Sequence, residues 1–174
     1  MVAVLLASPA AWAGVIQPSP YLPPELGEYV ALQHATYPQD VILRDSSHQR
    51  FLNIVRTPDG ADELEEFDST LLGTADVIGF MNDIPIMLTG PVVVRVSNYT
   101  SGDTGTFDTE ILSMSLVGTV GGIPVEVRES PTLDSLGETT ITEVVLGGIA
   151  EIGGLPAWEI ESYFDVYTEL SVQG

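Results

Sequence analysis

An alternation of apolar and polar residues near the end of the chain constrains the fold more than any other sequence feature. Between Trp158 and Val172, alternate positions collect apolar side chains: Ile160, Phe164, Val166, Leu170 and Val172. The positions between them collect acidic and tyrosine side chains: Glu159, Glu161, Tyr163, Asp165, Tyr167 and Glu169. Because successive side chains of a strand point to opposite faces, this pattern predicts one β-strand of about fifteen residues. A helix would mix the two sets around its circumference.

The rest of the chain reads as short strands separated by turns. Residues 28–34, 40–45 and 51–57 carry strand-forming residues, and the sequence Pro58-Asp59-Gly60 predicts a turn after the third run. Glycine and proline recur so often that no long amphipathic helix fits. A chain of 174 residues suits one domain with a sizeable core. We therefore predict a single all-β domain, an antiparallel β-sandwich of the jelly-roll or Ig-like type.

Two similar segments suggest where one strand changes the face it buries. The segment Phe67–Leu72 resembles Phe107–Leu112, at an offset of 107 − 67 = 40 residues. A degenerate duplication and a chance similarity between hairpins both explain this. In the second copy the apolar face switches from Phe107 and Ile111 to Leu112, Met114 and Leu116. Such a switch predicts a β-bulge or a strand that passes from one sheet to another.

The charge of the chain excludes some classes of partner. The formal net charge is −20, and all five basic residues are arginines. Binding to nucleic acid needs a basic surface that displaces counterions from phosphates, so no nucleic-acid partner is expected. An anionic membrane surface would repel the chain in the same way. Cysteine is absent, which excludes disulfides and thiolate metal sites.

The first residues resemble an exported protein's leader. Met1 to Ala13 contains a short apolar run that ends in Ala11-Trp12-Ala13, a cleavage pattern before Gly14. We therefore predict a signal peptide over residues 1–13, incomplete at its start because the usual basic region is missing; a buried first strand is the alternative. The run is too short to span a bilayer, which takes about 20 residues. Residues 14–27 contain four prolines and predict an extended arm, and residues 28–174 form the β domain.

Acidic turns are the best sequence candidates for a metal site. Asp59, Asp62 and Glu63 surround a glycine turn, and Asp103 lies in a similar Ser-Gly-Asp-Thr-Gly loop. Oxygen ligands from loops suit Ca²⁺, although solvated turns select the same residues. No catalytic residue stands out. Ser46-Ser47-His48 is the only Ser–His cluster, and we interpret it as a surface loop.

Three runs in order resemble a known group of proteins. They are G-T-F-D-T-E-I-L-S-M-S-L from Gly105, V-R-E-S-P-T-L-D-S-L-G-E-T-T-I-T from Val127 and E-S-Y-F-D-V-Y-T-E-L-S-V from Glu161, with F-D-S-T-L preceding them. Together they resemble exported bacterial proteins of unknown function, many of which carry a PEP-CTERM sorting signal. The resemblance implies an exported β domain in the extracellular matrix or at the cell surface. It implies no catalytic or binding residues, and this chain lacks the sorting signal itself.

These observations together predict a non-catalytic domain that is secreted or held at the cell surface. We expect a structural or matrix-associated role, with the domain itself or extracellular polysaccharide as partner. The first alternative is a calcium-dependent extracellular binding module, with carbohydrate as its candidate ligand. A hydrolase that uses a pair of acidic residues is a weaker alternative, because 25 acidic residues make some pair inevitable.

Overall fold

The computed structural model describes residues 8–11, 15–25, 27–38, 40–144 and 156–172. Every regular element within these ranges is a β-strand, and none of them contains a helix that could cross a membrane. The strands are β1 (Ser8–Ala11), β2 (Val15–Gln17), β3 (Glu28–Ala31), β4 (Ala35–Tyr37), β5 (Val41–Asp59), β6 (Asp62–Val77), β7 (Met81–Val96), β8 (Gly105–Val120), β9 (Ile123–Glu129), β10 (Ser135–Glu143), β11 (Trp158–Val166) and β12 (Thr168–Val172).

The strands form one curled antiparallel sheet in a single domain, which confirms the predicted all-β antiparallel fold. Strands β5 to β8 make a meander of long hairpins. Beyond β8 the order continues through β10, β11, β1 and β3, and β3 pairs with β5 again. The pairing therefore closes a circuit around an interior. The two opposed layers predicted for a sandwich come here from one sheet, because β5 to β8 are long enough to curve around the core.

Strand β5 carries the irregularities that let the sheet curl. It has 19 residues where its partner β6 has 16, and the register shifts at three places along the pair. Each shift contains a residue with left-handed backbone, namely Asp45 (φ 48°), Arg50 (φ 59°) and Asn53 (φ 55°). An extra residue at each place makes a β-bulge, which bends the strand and increases its twist. The three bulges account for the three additional residues of β5.

Strand β8 contains the predicted bulge. In its pairing with β7, Val93 lies opposite Ser113 and Val94 lies opposite Ile111, so Leu112 is the extra residue. On the other side, residues 105–111 pair with β10 and residues 115–120 pair with β9. The bulge thus lies between the part of β8 that pairs with β10 and the part that pairs with β9. The apolar face switch that predicted it follows from this change.

The C-terminal stretch is two strands rather than one. β11 ends at Val166 and pairs with β10, whereas β12 begins at Thr168 and pairs with β9. Between them the backbone of Tyr167 is held by Ser130 and Ser135. The predicted alternation holds through β11. In β12 Leu170 is buried as predicted, but Glu169 is buried and Val172 is exposed, so the prediction is wrong for these two residues.

Arg95 and Arg128 each pair with a glutamate on a neighbouring strand. Arg95 Nη1 lies 3.0 Å from Glu110 Oε2, and Arg128 Nη2 lies 3.7 Å from Glu169 Oε2. The first pair is partly open to solvent and so contributes little stability. In the second, Arg128 is exposed and Glu169 is buried.

The N-terminal segment joins the sheet. Residues 8–11 lie within the predicted signal peptide and form β1, between β11 and β3. The predicted cleavage point, and residues 1–7, lie outside the described residues, so cleavage stays a prediction. Most of the proline-rich arm is described: after β2 it runs without regular structure to Glu25, and Leu22, Pro23 and Pro24 are buried.

The two faces of β11 yield a stability prediction. Phe164 is 7% exposed and contacts the core, whereas its neighbour Tyr163 is 48% exposed. Phe164→Ala should lower the free energy of unfolding by about 3–5 kcal/mol, because it leaves a cavity. Tyr163→Ala should cost within about 1 kcal/mol, because surface side chains lose little when truncated. Urea melts of the two variants measure both values, and equal losses would contradict the face assignment.

Candidate functional site

The interior of the curled sheet contains a cavity of about 60 Å³. Strands β3, β5, β6, β7, β8, β10 and β11 supply its walls, and the proline-rich arm supplies Leu22 and Pro23. Most of the lining is aliphatic or aromatic. The polar side chains that reach it are His48, Glu65, Ser69, Thr109 and Thr139. A mainly apolar cavity with a few polar groups is the usual form of a site for a small molecule.

Glu65 reaches the cavity because of the alternation in β6. The inward residues of this strand include Phe67, Ser69 and Leu71. Glu65, two residues before Phe67, lies on the same face. Its side chain is 2% exposed, and its Oε1 atom has no hydrogen-bond partner among the described residues. A buried polar atom without a partner costs about 1–3 kcal/mol. A group that proteins seldom bury unpaired therefore faces the cavity.

Burial decides the charge of Glu65. It raises the pKa of this carboxyl well above its ordinary value, because an ionised carboxylate loses its hydration. Arg56, opposite Glu65 in the β5–β6 register, lowers the pKa, and Glu63 raises it again. Burial is the larger effect. The empty cavity therefore presents a neutral carboxylic acid over a wider pH range than a surface glutamate would.

His48 lies inside the sheet, so the prediction that Ser46-Ser47-His48 is a surface loop is wrong. The three residues belong to β5, and His48 lies opposite Leu71 on the inward face. Its Nδ1 atom is 3.2 Å from Ser69 Oγ. Burial lowers the pKa of the imidazole from 6.5 to about 4, so His48 is neutral at neutral pH.

Two threonines complete the polar lining. Thr139 donates a hydrogen bond of 2.8 Å to Ser162, so its hydroxyl proton is already used. Thr109 is 4% exposed, and its Oγ1 atom has no partner among the described residues. The cavity therefore offers two unused polar groups, the Glu65 carboxyl and the Thr109 hydroxyl.

Four aromatic rings line the cavity in a continuous row. Tyr29 is 5.6 Å from Phe164 and 5.7 Å from Phe51, and Phe51 is 5.4 Å from Phe67, measured between ring centroids. The interplanar angles are 68°, 65° and 80°, so every contact is edge-to-face. Rings at steep angles to one another bound a space from several sides.

The proline-rich arm is anchored beside the cavity by Arg56. The Nε atom of Arg56 donates a 2.6 Å hydrogen bond to the carbonyl oxygen of Leu22, and its guanidinium lies 5.2 Å from the centroid of the Tyr21 ring. The Tyr99 hydroxyl donates to Pro20 O at 3.2 Å. These contacts place Leu22, which is 3% exposed, against the cavity.

The four residues predicted to bind calcium lie around one end of the β5–β6 hairpin. Asp62 Oδ1 accepts from Asn98 N at 2.9 Å, Asp103 Oδ2 accepts from Thr100 N at 3.0 Å, and the buried Glu63 accepts from Ser101. Asp59 is exposed. Three of the carboxylates thus hold the loop between β7 and β8. In the described ranges, no three acidic or histidine side chains are grouped to hold a metal ion.

Sequence reasoning missed both Glu65 and His48, for different reasons. The apolar face of Phe67–Leu71, continued backwards at every second residue, passes through Glu65, so this signal was present. For His48 the bulges of β5 interrupt the alternation on both sides. No period of two can be followed through that strand, and it reads as a loop.

Comparison with protein-family models, curated proteins and solved structures finds no match for the chain.

The pKa of Glu65 predicts how stability depends on pH. Because the folded state holds its proton to a higher pH than the unfolded chain does, the contribution of Glu65 is complete below the unfolded pKa and falls as the pH rises. Glu65→Gln removes this titration, and we expect the variant to be more stable than the parent at pH 8, by roughly 1–3 kcal/mol. The difference should vanish near pH 4.

Urea melts between pH 4 and pH 8 test this. His48 destabilises the fold as the pH falls from 6.5 towards 4, but it does so in parent and variant alike. Glu66→Gln is the matched control, since Glu66 is exposed on the opposite face of β6. A gain that does not depend on pH, or one equally large in the control, would contradict the assignment.

Proposed function

We propose that the protein is an exported, non-catalytic binding domain that holds a small, mainly apolar molecule inside its curled sheet. One observation carries the proposal: an apolar cavity is faced by two buried polar groups, Glu65 and Thr109, that no described residue satisfies. Native structures pair almost all buried polar groups, so exceptions call for a ligand or a solvent molecule as partner. Export is supported by the leader-like N-terminus, and a non-catalytic role remains the expectation from sequence.

The size of the cavity limits the ligand. A water-sized group needs at least about 10–15 Å³, so 60 Å³ accommodates about four to six such groups. A molecule of this size makes few contacts, so we expect a dissociation constant in the range of about 1–10 mM for a simple probe. A sugar ring is considerably larger. Polysaccharide, or calcium at the loop carboxylates, would therefore need a surface outside the cavity.

A cavity-filling substitution tests the binding site. In methyl NMR spectra, tert-butanol should shift the methyl signals of Ile111 and Met114, which line the cavity. Val94→Phe should abolish this shift, because Val94 also lines the cavity and is 6% exposed. The larger ring costs about 1–3 kcal/mol of stability, which the dispersion of the spectrum monitors.

Val93→Phe is the matched control, because Val93 is the next residue of β7 and points to the opposite face. It should leave tert-butanol binding unchanged. Methyl signals that do not respond to the probe in the parent protein would contradict the proposal. So would a Val94→Phe variant that folds and binds like the parent.

Self-association is a second candidate function, and the position of β1 favours it. β1 pairs with β11 from Ser8 opposite Val166 to Ala11 opposite Tyr163, and its last two residues also pair with β3. Cleavage before Gly14 would remove β1 from its position between β11 and β3. The backbone groups of β3 and β11 would then be open for strand addition by another chain.

Light scattering on two forms of the protein tests this candidate. We expect residues 14–174 to associate and residues 1–174 to remain monomeric, with a synthetic peptide of residues 1–13 returning the shorter form to a monomer. Intact-mass analysis of the exported protein should find Gly14 as its first residue. A monomeric shorter form at all concentrations, or an exported form that keeps Met1, would contradict the candidate.

A further inference from the structure

We propose that the cavity selects a small organic cation, an ammonium group enclosed by the four aromatic rings and neutralised by the Glu65 carboxylate. This inference rests on the proposed function and names the chemical class of the ligand. Three features of the cavity support it: its rings, its unpaired carboxyl group and the lack of lysine and arginine among its described lining residues.

The aromatic rings supply the first part of the argument. Tyr29, Phe51, Phe67 and Phe164 contribute four rings to a cavity of about 60 Å³. The faces of aromatic rings are electronegative, and rings set at steep angles enclose the quaternary ammonium groups of ligands. A purely apolar ligand would gain as much from aliphatic walls. A cation gains more from aromatic ones.

The unpaired carboxyl group supplies the second part. Glu65 Oε1 has no hydrogen-bond partner in the described part of the chain, and no ion pair within 4 Å of Glu65 occurs there. Arg56 lies opposite Glu65 in the register and lowers the pKa of its carboxyl, but the described residues include no ion pair between them, and the guanidinium contacts Leu22 O and the Tyr21 ring. A cation in the cavity would therefore be the carboxylate's counter-ion.

The charge around the cavity supplies the third part. Its described lining contains neither lysine nor arginine, and His48 is neutral at neutral pH. The protein as a whole carries a net charge of −20, which raises the concentration of cations near its surface and lowers that of anions. An anionic ligand would be repelled by the net charge of the protein and would find no basic side chain in the described lining. A cation is therefore the favoured charged ligand.

Tetramethylammonium and tert-butanol form a matched pair of probes. Both are branched molecules of five heavy atoms, so they fill the cavity to about the same extent. Only tetramethylammonium is charged. In methyl NMR titrations at pH 8, tetramethylammonium should bind at least about tenfold more tightly than tert-butanol, because its charge meets an unpaired carboxylate. Glu65→Gln should remove this preference, and the Glu66→Gln control should keep it.

The pH dependence of binding distinguishes the two probes. A cation requires ionised Glu65, so tetramethylammonium should bind more tightly as the pH rises from 6 to 9 and should release a proton to the buffer. A neutral probe that accepts a hydrogen bond from protonated Glu65 should bind less tightly over the same range. The other titratable or charged groups that interact with Glu65 or line the cavity are Tyr29, His48, Arg56, Glu63 and Tyr99. The tyrosines are neutral throughout, since burial raises their pKa values, and His48 is neutral above pH 6.

The outcomes separate this inference from the proposed function. If tert-butanol binds as tightly as tetramethylammonium, or Glu65→Gln keeps the preference for the cation, the cation inference is wrong and a neutral ligand remains. If neither probe shifts the signals of Ile111 and Met114, the cavity holds only solvent and both proposals are wrong. Tight binding that Val94→Phe leaves intact would place the cation outside the cavity and would also overturn the inference.

Discussion

The interior of this protein depends on the three bulges of β5. A strand paired without irregularity presents every second side chain to the same face, and a shift of one residue exchanges the faces. The extra residues at Asp45, Arg50 and Asn53 change this phase three times. As a result His48 and Phe51, which are three residues apart, both reach the cavity. The bulge at Asp45 separates residues 41–43 of β5, which pair with β4, from residues 47–49, which pair with β3 and so allow the sheet to close on itself.

At Glu65, the burial of one apolar face of β6 brings an ionisable side chain into the core, where its charged form is costly. Strand β6 contributes Phe67 and Leu71 to the core, and the regular alternation of the strand then requires Glu65 to enter it as well. A solvent-facing Glu65 would need another bulge, which would disturb the pairing with β7 that runs without a shift from Glu63 to Ala75. Sequences usually break such local rules where a site is needed. The regular geometry of β6 therefore keeps the Glu65 carboxyl out of water, and the cavity lies beside this carboxyl.

Features that depend on residues close together in the sequence could be predicted, whereas features that depend on residues far apart in the sequence could not. The alternation in β11 correctly placed Phe164 inside, and the apolar switch at Leu112 correctly indicated a bulge. Closure of the sheet depends on β10 pairing with the first half of β8, and no local pattern marks that contact. Glu65 could have been found by extending the face of β6. His48 could not, because bulges on either side of it erase the period from which a buried position is inferred.

Arg56 links the proline-rich arm to the state of the cavity. Its guanidinium contacts the arm through Leu22 O and the Tyr21 ring, and the residue lies opposite Glu65 on the neighbouring strand. In this structure it serves the arm, and its Nη2 atom remains buried without a hydrogen bond to any described residue. The arm supplies Leu22 and Pro23 to the cavity wall, and the arginine that anchors it lowers the pKa of the Glu65 carboxyl without forming an ion pair with it among the described residues. One guanidinium therefore contributes both to the position of the arm and to the electrostatics of the cavity.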